Sequence, residues 1–251
     1  MIKIIGLGLW NEKSMSIEAM EEANDCDVLY AEFYTSRLIG LRSKEELVKV
    51  LGKDIKFLRR EEVEVSQKFI LDRAKKEKVG FLVAGDALTA TTHIDLVIEA
   101  KKRGIEVKII HGSSIYTAAA GLAGLQIYKF GRSCSIPYPQ PGFKVESPFE
   151  VIAGNLKQGL HTLVFLDIQP DKLMTANEAM QILLEIGKKK KSRILDNKEI
   201  VVVARAGSDE AVVKYGKIKD LIEMNFGEPM HIIIVPGKLH FKEKEYLEFC
   251  R

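Results

Sequence analysis

Five short turns in this 251-residue chain carry residue types that let a small ligand approach the polypeptide backbone. Each turn follows an apolar run and combines small or apolar residues with at most one carboxylate. The turns are Gly6-Leu7-Gly8-Leu9, Gly85-Asp86, Gly112-Ser113-Ser114, Leu166-Asp167 and Ala206-Gly207. If several of them converge on one crevice, they line an adenosine-sized pocket with backbone amide and carbonyl groups. Taken singly, each turn is explained equally well as an ordinary connection between a strand and the element that follows it.

Asp86 offers the clearest chemistry in these turns. It follows Val79 to Ala84, a short apolar run typical of a strand buried on both faces. Helical spacing begins at His93 and ends at Arg103-Gly104. This order of elements, a strand followed by a turn with a carboxylate and then a helix, predicts that Asp86 lies at the carboxyl edge of a parallel sheet. α/β proteins bind ligands at that edge. From spacing alone, Asp86 either binds a ligand or caps its own turn.

Strands alternate with helices through the first part of the chain, which predicts a parallel sheet. Two of the helices have predicted inward faces: Glu61 to Lys78 with Val65, Phe69 and Ala74, and the helix after His93 with Ile94, Val97 and Ile98. The segment from Ile136 to Phe143 holds three of the seven prolines and cannot be a central strand. It is predicted to be a loop that leads from one domain to another.

Composition restricts the function classes. The net charge is 38 − 35 = +3, which is too balanced to indicate a nucleic-acid groove. The three cysteines lie far apart without a CxxC pair, and the histidines show no pair at ligand spacing, so no disulfide framework or metal site is expected. No apolar run approaches the roughly 20 residues that span a bilayer, and Met1 leads into a strand rather than a signal peptide. We therefore expect a soluble, cytoplasmic protein.

A dinucleotide-binding fold is one alternative, since Gly6-Leu7-Gly8 follows the first strand and Glu32 ends the second. Against it, Asn11 occupies the third glycine position, and the helix starts only after Ser14, too late to bind a pyrophosphate at its N-terminus. His231 opens an apolar strand; spacing leaves open whether it is a hydrogen-bonded core residue or contacts a ligand.

Taken together, the turns resemble those of the diphthine synthases, a branch of the tetrapyrrole-methylase superfamily. The matching segments span nearly the whole chain, and two of them, MTANEAM and VPGKLHF, are specific to this branch. The segments are GLGL (6–9), AEFYTS (31–36), ATTH (90–93), SIY (114–116), YKFG (128–131), LHTLVFLDI (160–168), MTANEAM (174–180), ARAGS (204–208) and HIIIVPGKLHF (231–241). In one departure, Ala87 stands where the family usually has proline, which leaves the Asp86 carboxylate in place.

The resemblance implies an α/β protein with two domains of the tetrapyrrole-methylase type and S-adenosylmethionine in the cleft between them. We expect an N-terminal α/β domain with a parallel sheet over residues 1–112 and a C-terminal α/β domain over residues 113–251. The chain is then a homodimeric methyltransferase with elongation factor 2 as its protein substrate, without nucleic-acid or membrane partners. The cofactor-binding positions implied by the resemblance are Leu9, Asp86, Thr89, Ser114, Ile115, Leu166, Ala206 and His231.

The implied reaction is methyl transfer to the amino group of the modified histidine of elongation factor 2, giving trimethylated diphthine. No side chain is assigned as a catalytic base. Trp10, Tyr34 and Tyr138 are predicted cation–π partners for the cationic product. The alternatives left open are a porphyrinoid (uroporphyrinogen or precorrin) methyltransferase, an NAD-dependent oxidoreductase and a non-catalytic nucleotide sensor.

Overall fold

The computed structural model describes residues 1–142 and 145–251, which divide into two units, Met1–Ile115 and Tyr116–Arg251. Each unit is built around one five-stranded sheet. Among the described residues, no helix combines the length and the apolar character that a membrane crossing requires.

The sheet of the first unit is entirely parallel, as the alternation of strands and helices predicts. Its strands lie in the spatial order β3-β2-β4-β1-β5. They are β1 (Ile2–Gly6), β2 (Val28–Glu32), β3 (Ile55–Leu58), β4 (Val79–Val83) and β5 (Val107–Ile110). Every residue of β1 and β4 is buried, because helices cover both faces of the sheet centre.

The helices that cover this sheet are α1 (Ile17–Asn24), α2 (Lys44–Leu51), α3 (Arg60–Glu64), α4 (Lys68–Ala74) and α5 (Ile94–Lys102). The prediction of one amphipathic helix from Glu61 to Lys78 is wrong, because the chain breaks into α3 and α4 around Ser66. The break turns Val65 outward, with 80% of its surface exposed. Apolar spacing continues across the break, so periodicity alone did not reveal it.

Helix α5 begins immediately after His93 and ends before Arg103-Gly104, so its predicted boundaries are confirmed. Its predicted inward face is wrong for two of the three residues, since Ile94 and Ile98 are exposed. The buried face consists instead of Leu96, Val97 and Ala100. These residues pack on the same core as β1 and β4.

The second unit contains a mixed sheet with the order β6-β7-β10-β8-β9. Its strands are β6 (Cys134–Ile136), β7 (Thr162–Leu166), β8 (Glu199–Ala204), β9 (Val212–Lys217) and β10 (His231–Val235). β10 runs antiparallel to both β7 and β8, so β7 and β8 point in the same direction. The remaining helices are α6 (Ile115–Leu122), α7 (Ser147–Lys157), α8 (Ala176–Lys189), α9 (Ile218–Leu221) and α10 (Phe241–Leu247).

The proline-rich segment that starts at Ile136 lies within the second unit, so the prediction that it links two domains is wrong. Strand β6 immediately before it already pairs with β7, and the chain is therefore part of the second sheet when the prolines begin. Phe143, the last residue of that predicted loop, lies outside the described residues.

Candidate functional site

Three loops of the first unit meet at the carboxyl edge of the sheet, after β1, β4 and β5. Gly8 and Gly85 pair through two backbone hydrogen bonds, Gly8 N to Gly85 O at 3.1 Å and Gly85 N to Gly8 O at 2.7 Å. A Cβ atom added at Gly112 would lie 2.4 Å from the Gly85 carbonyl oxygen, and one at Gly6 would lie 2.7 Å from the Gly112 nitrogen. These close approaches require glycine, and they bring backbone groups of three strand ends together.

Asp86 joins two of these loops. Its Oδ1 atom accepts a hydrogen bond from Thr89 Oγ1 at 2.8 Å, within its own loop. Its Oδ2 atom lies 2.9 Å from His111 Nδ1 and accepts from the Gly112 backbone nitrogen at 3.2 Å. Burial alone would raise the pKa of Asp86, but the hydrogen bonds from His111, Thr89 and Gly112 outweigh it and lower the pKa. The carboxylate is therefore ionised at neutral pH and does more than cap its own turn.

The other residues predicted at this edge lie on the same loops. Leu9 directly follows the Gly8–Gly85 pairing and is half-buried, while Thr89 is exposed. Ser114 and Ile115 stand where the loop after β5 enters α6. The first unit thus gathers all five of its predicted site residues at the carboxyl edge of one sheet.

The three predicted residues of the second unit also share one sheet edge. Leu166 is the last residue of β7, Ala206 follows the end of β8, and His231 opens β10 opposite Ala204. Because β10 is antiparallel to both neighbours, its beginning lies at the edge where β7 and β8 end. Sequence spacing could not reveal this, because it does not give strand direction.

His231 is a buried, neutral histidine. Its Nδ1 atom accepts a hydrogen bond from the Ala176 backbone nitrogen at 3.1 Å, so the ring proton resides on Nε2. Nε2 is buried without a well-formed hydrogen bond among the described residues, and the backbone of Gly227 and Glu228 lies beside the ring. Burial lowers the pKa of His231 to about 4. The ring therefore offers one buried N–H donor.

The chain's own cations already occupy two of the predicted cation–π rings. Arg60 lies 4.9 Å from the ring centroid of Tyr34, and Lys172 lies 4.2 Å from that of Tyr138. The indole ring of the third aromatic residue, Trp10, packs directly against Gly40. A Cβ atom added at Gly40 would lie only 2.3 Å from the indole nitrogen. A cationic product would have to displace Arg60 or Lys172 to use the same ring face.

Glu32 does not have the geometry that a ribose-binding acid requires. Its side chain is completely buried, and its carboxylate accepts hydrogen bonds from the backbone nitrogens of Tyr34 at 2.9 Å and Thr35 at 3.0 Å. The Thr35 hydroxyl also donates to it. The residue that suggested a dinucleotide fold is thus engaged within its own strand end.

Known proteins are similar to this chain over nearly its whole length. The family model for tetrapyrrole (corrin/porphyrin) methylases matches residues 1–222. The diphthine synthase of Methanococcus vannielii is 48% identical over 252 residues, covering 99% of this chain and 98% of that protein. The diphthine synthase of Methanocaldococcus jannaschii is 48% identical over 254 residues with the same coverage.

Solved structures agree with the sequence comparison. A crystal structure of a diphthine synthase superimposes with a TM-score of 0.91 at 37% identity, covering 99% of this chain and 95% of that one. A putative diphthine synthase from Entamoeba histolytica superimposes with a TM-score of 0.89 at 34% identity, covering 99% and 97%. The chain therefore belongs to the tetrapyrrole methylase family, in its diphthine synthase branch.

Proposed function

We propose that this protein transfers methyl groups from S-adenosylmethionine to the amino group of the modified histidine of elongation factor 2, giving diphthine. The observation that carries the proposal is the 48% identity to diphthine synthases across 99% of the chain. Trimethylation, a homodimeric enzyme and a cytoplasmic location are finer expectations that go with it.

S-adenosylmethionine, the cofactor of this family, supplies a methyl group activated on a sulfonium. We propose that it binds the residues gathered at the two sheet edges: Leu9, Asp86, Thr89, Ser114, Ile115, Leu166, Ala206 and His231. Their chemistry fits a nucleoside ligand. Glycine-lined loops let it approach the backbone, and the ionised Asp86 can accept from ribose hydroxyl groups. The Nε2–H of His231 is a buried donor without a well-formed hydrogen bond to any described residue.

The chain's main catalytic contribution is positioning. Holding an amine in line with a reactive methyl group removes about 7–11 kcal/mol of a bimolecular barrier. An amine with a pKa of about 8 needs only about 1.4 kcal/mol to lose its proton at pH 7. A strong general base is therefore unnecessary, and we assign none.

The test is to incubate the protein and S-adenosylmethionine with elongation factor 2 that bears the aminocarboxypropyl-histidine intermediate. Mass spectrometry of the modified peptide should show successive additions of one methyl group, and elongation factor 2 with unmodified histidine should show none. Uroporphyrinogen III serves as the competing substrate. Its methylation, without any reaction on elongation factor 2, would contradict the proposal and favour a porphyrinoid methyltransferase.

A further inference from the structure

Two buried polar side chains beside the candidate site have no part in the proposed chemistry. Glu32 ends β2 and His93 immediately precedes α5, and neither side chain is exposed to solvent. Glu32 Oε1 lies 3.3 Å from His93 Nε2. Because burying a carboxylate is costly unless its oxygens are well satisfied, such a pair calls for a physical explanation.

The pair is fixed rigidly on the Glu32 side. Both Oε atoms accept hydrogen bonds from the chain that follows β2, through Tyr34 N, Thr35 N and the Thr35 hydroxyl. Strand β2 itself is paired with β4 up to the Glu32–Val83 position. The carboxylate is therefore an anchor attached to the centre of the sheet.

His93 is held against this anchor by ring packing. The imidazole stands edge-on to Phe81 of β4, with ring centroids 5.0 Å apart, and to Tyr34 at 6.2 Å. The Tyr34 hydroxyl oxygen also lies 3.5 Å from His93 Nε2. These contacts hold His93, the residue at which the loop after β4 ends and α5 begins.

The loop between the end of β4 and His93 carries Asp86 and Thr89. It runs from residue 84 to 92 without regular helix or strand, and Ala90 adopts a left-handed backbone conformation with φ of 57°. At its start, Asp86 ties it to the loop after β5 through His111 and Gly112. At its end, His93 ties it to β2. The loop is thus held from both sides of β4.

We propose that Glu32 and His93 are positioning residues for the cofactor: by fixing the end of the 84–92 loop, they pre-order Asp86 and Thr89. This inference rests on the proposed binding of S-adenosylmethionine by Asp86 and Thr89. A ligand that binds only the ordered loop loses affinity in proportion to the fraction of molecules in which the loop is not ordered. The pair therefore affects cofactor affinity without touching the cofactor.

The experiment measures S-adenosylhomocysteine binding by calorimetry, together with KM for S-adenosylmethionine and kcat on modified elongation factor 2, in the full-length protein. The variants are Glu32→Gln, His93→Phe and the double variant. Each single variant should raise Kd and KM about tenfold and leave kcat at saturating cofactor within about twofold. Because the two residues act as one unit, the double variant should resemble either single variant rather than multiply their effects to about a hundredfold.

Two further variants separate positioning from general destabilisation. Lys3→Met removes another buried charge of the same unit, one that pairs with Glu22 at 2.6 Å and contacts neither Glu32 nor the loop. It should lower the unfolding midpoint in urea but leave Kd within about twofold. Thr35→Val removes one hydrogen bond to Glu32 from a half-buried position, and it provides a milder variant, with a Kd about threefold higher, if Glu32→Gln does not fold.

The outcomes are distinguishable. Equal rises in Kd for Lys3→Met and Glu32→Gln would mean that the effect is destabilisation, and the inference would be wrong. Unchanged Kd in the Glu32, His93 and Thr35 variants, with weakened binding in Asp86→Asn, would overturn the positioning role and leave the proposed function standing. A wild-type protein that does not bind S-adenosylhomocysteine would overturn both.

Discussion

Each unit of the molecule buries one Glu–His pair, and the two pairs are built differently. In the first unit, Glu32 lies 3.3 Å from His93 and forms no ion pair with a lysine or arginine among the described residues. In the second, Glu243 Oε1 lies 3.1 Å from His161 Nε2, and Lys129 forms an ion pair with the same carboxylate. All four of the paired Glu and His side chains are essentially inaccessible to solvent.

Burial acts in the same direction on both carboxylates, but the net shifts of their pKa values are opposite. Burial raises the pKa of Glu32, and the hydrogen bonds from Thr35 and Tyr34 only moderate that effect. Burial acts on Glu243 as well, but Lys129 and the backbone nitrogens of Gln126 and His240 outweigh it and lower the pKa to about 2. Glu243 therefore stabilises the fold at neutral pH, and this contribution is lost as the pH falls from about 4.5 towards 2.

The difference agrees with a structural role for the Glu243 pair and the positioning role that we propose for the Glu32 pair. The Glu243 pair joins α10 to His161, the residue just before β7, with a counter-ion and a full set of hydrogen bonds. His161 Nδ1 accepts from the Gly237 nitrogen at 2.9 Å. The Glu32 pair forms no such ion pair within the part of the chain that the structure describes, and it lies next to the loop that carries Asp86. Carboxyl groups whose pKa is perturbed by burial are concentrated at functional sites, which supports the positioning role proposed for Glu32.

The largest effect should come from breaking the second pair. Lys129→Met leaves Glu243 buried without its counter-ion, and loss of one partner from a buried pair costs about 3–5 kcal/mol. Urea unfolding should show this loss, while the affinity for S-adenosylhomocysteine of the remaining folded protein stays at the wild-type value. A stability change below about 1 kcal/mol would mean that the two pairs do not differ as described.

The glycine contacts at the first sheet edge should give the next largest effect. In Gly112→Ala, the new Cβ atom would meet the Gly85 carbonyl oxygen at 2.4 Å, and relieving such overpacking costs about 1–3 kcal/mol. Gly154→Ala is the matched control, since Gly154 lies within helix α7 and, apart from the neighbouring backbone of that helix, no described atom lies within 4 Å of the added Cβ. That variant should gain about 0.5–1 kcal/mol. Similar thermal shifts for both variants would contradict the close approach of the loops.

A smaller effect should appear in the pH dependence of stability. Burial lowers the pKa of His231 to about 4. As the pH falls, this imidazole therefore binds a proton near pH 6.5 in the unfolded chain but only near pH 4 in the folded protein. Stability is therefore lost as the pH falls below about 6.5, by about 1.4 kcal/mol from this residue at pH 5.5. His231→Gln should remove that share when unfolding free energies at pH 7.5 and 5.5 are compared. Equal pH dependence in both proteins would contradict a buried neutral ring.

Much of the fold at these sites could be predicted from sequence. The strand before Asp86 and the boundaries of α5 follow from apolar runs and turn residues, which depend on local chemistry. The break around Ser66 could not, because α3 and α4 share a compatible apolar spacing. Tertiary packing, which spacing does not encode, decided which residues face inward.

The predicted site residues illustrate the same limit. Asp86 stood out because a carboxylate follows a buried strand, but its contact with His111 depends on β5 lying on the far side of β1 from β4. Glu32 and His93 lay within two segments that matched the family, yet nothing in either segment indicated that they touch. The one signal available in the sequence was that Glu32 is a polar residue at the end of an apolar strand. Pairing across the chain becomes visible only in the fold.

The role proposed for Asp86 is to bind the cofactor at the carboxyl edge of the first sheet. The most direct test is to measure S-adenosylhomocysteine binding and thermal stability on one sample of Asp86→Asn, with NAD as a control ligand. Asparagine keeps one acceptor oxygen, which can serve Thr89 or Gly112 but not both, because these two donate to different oxygens of Asp86. We therefore expect a Kd raised about tenfold or more, equivalent to about 1.4 kcal/mol, with only a modest fall in melting temperature from the lost hydrogen bond. A lower melting temperature with unchanged Kd would mean that Asp86 only holds its loop, and tighter binding of NAD by the wild-type protein would contradict the methyltransferase assignment.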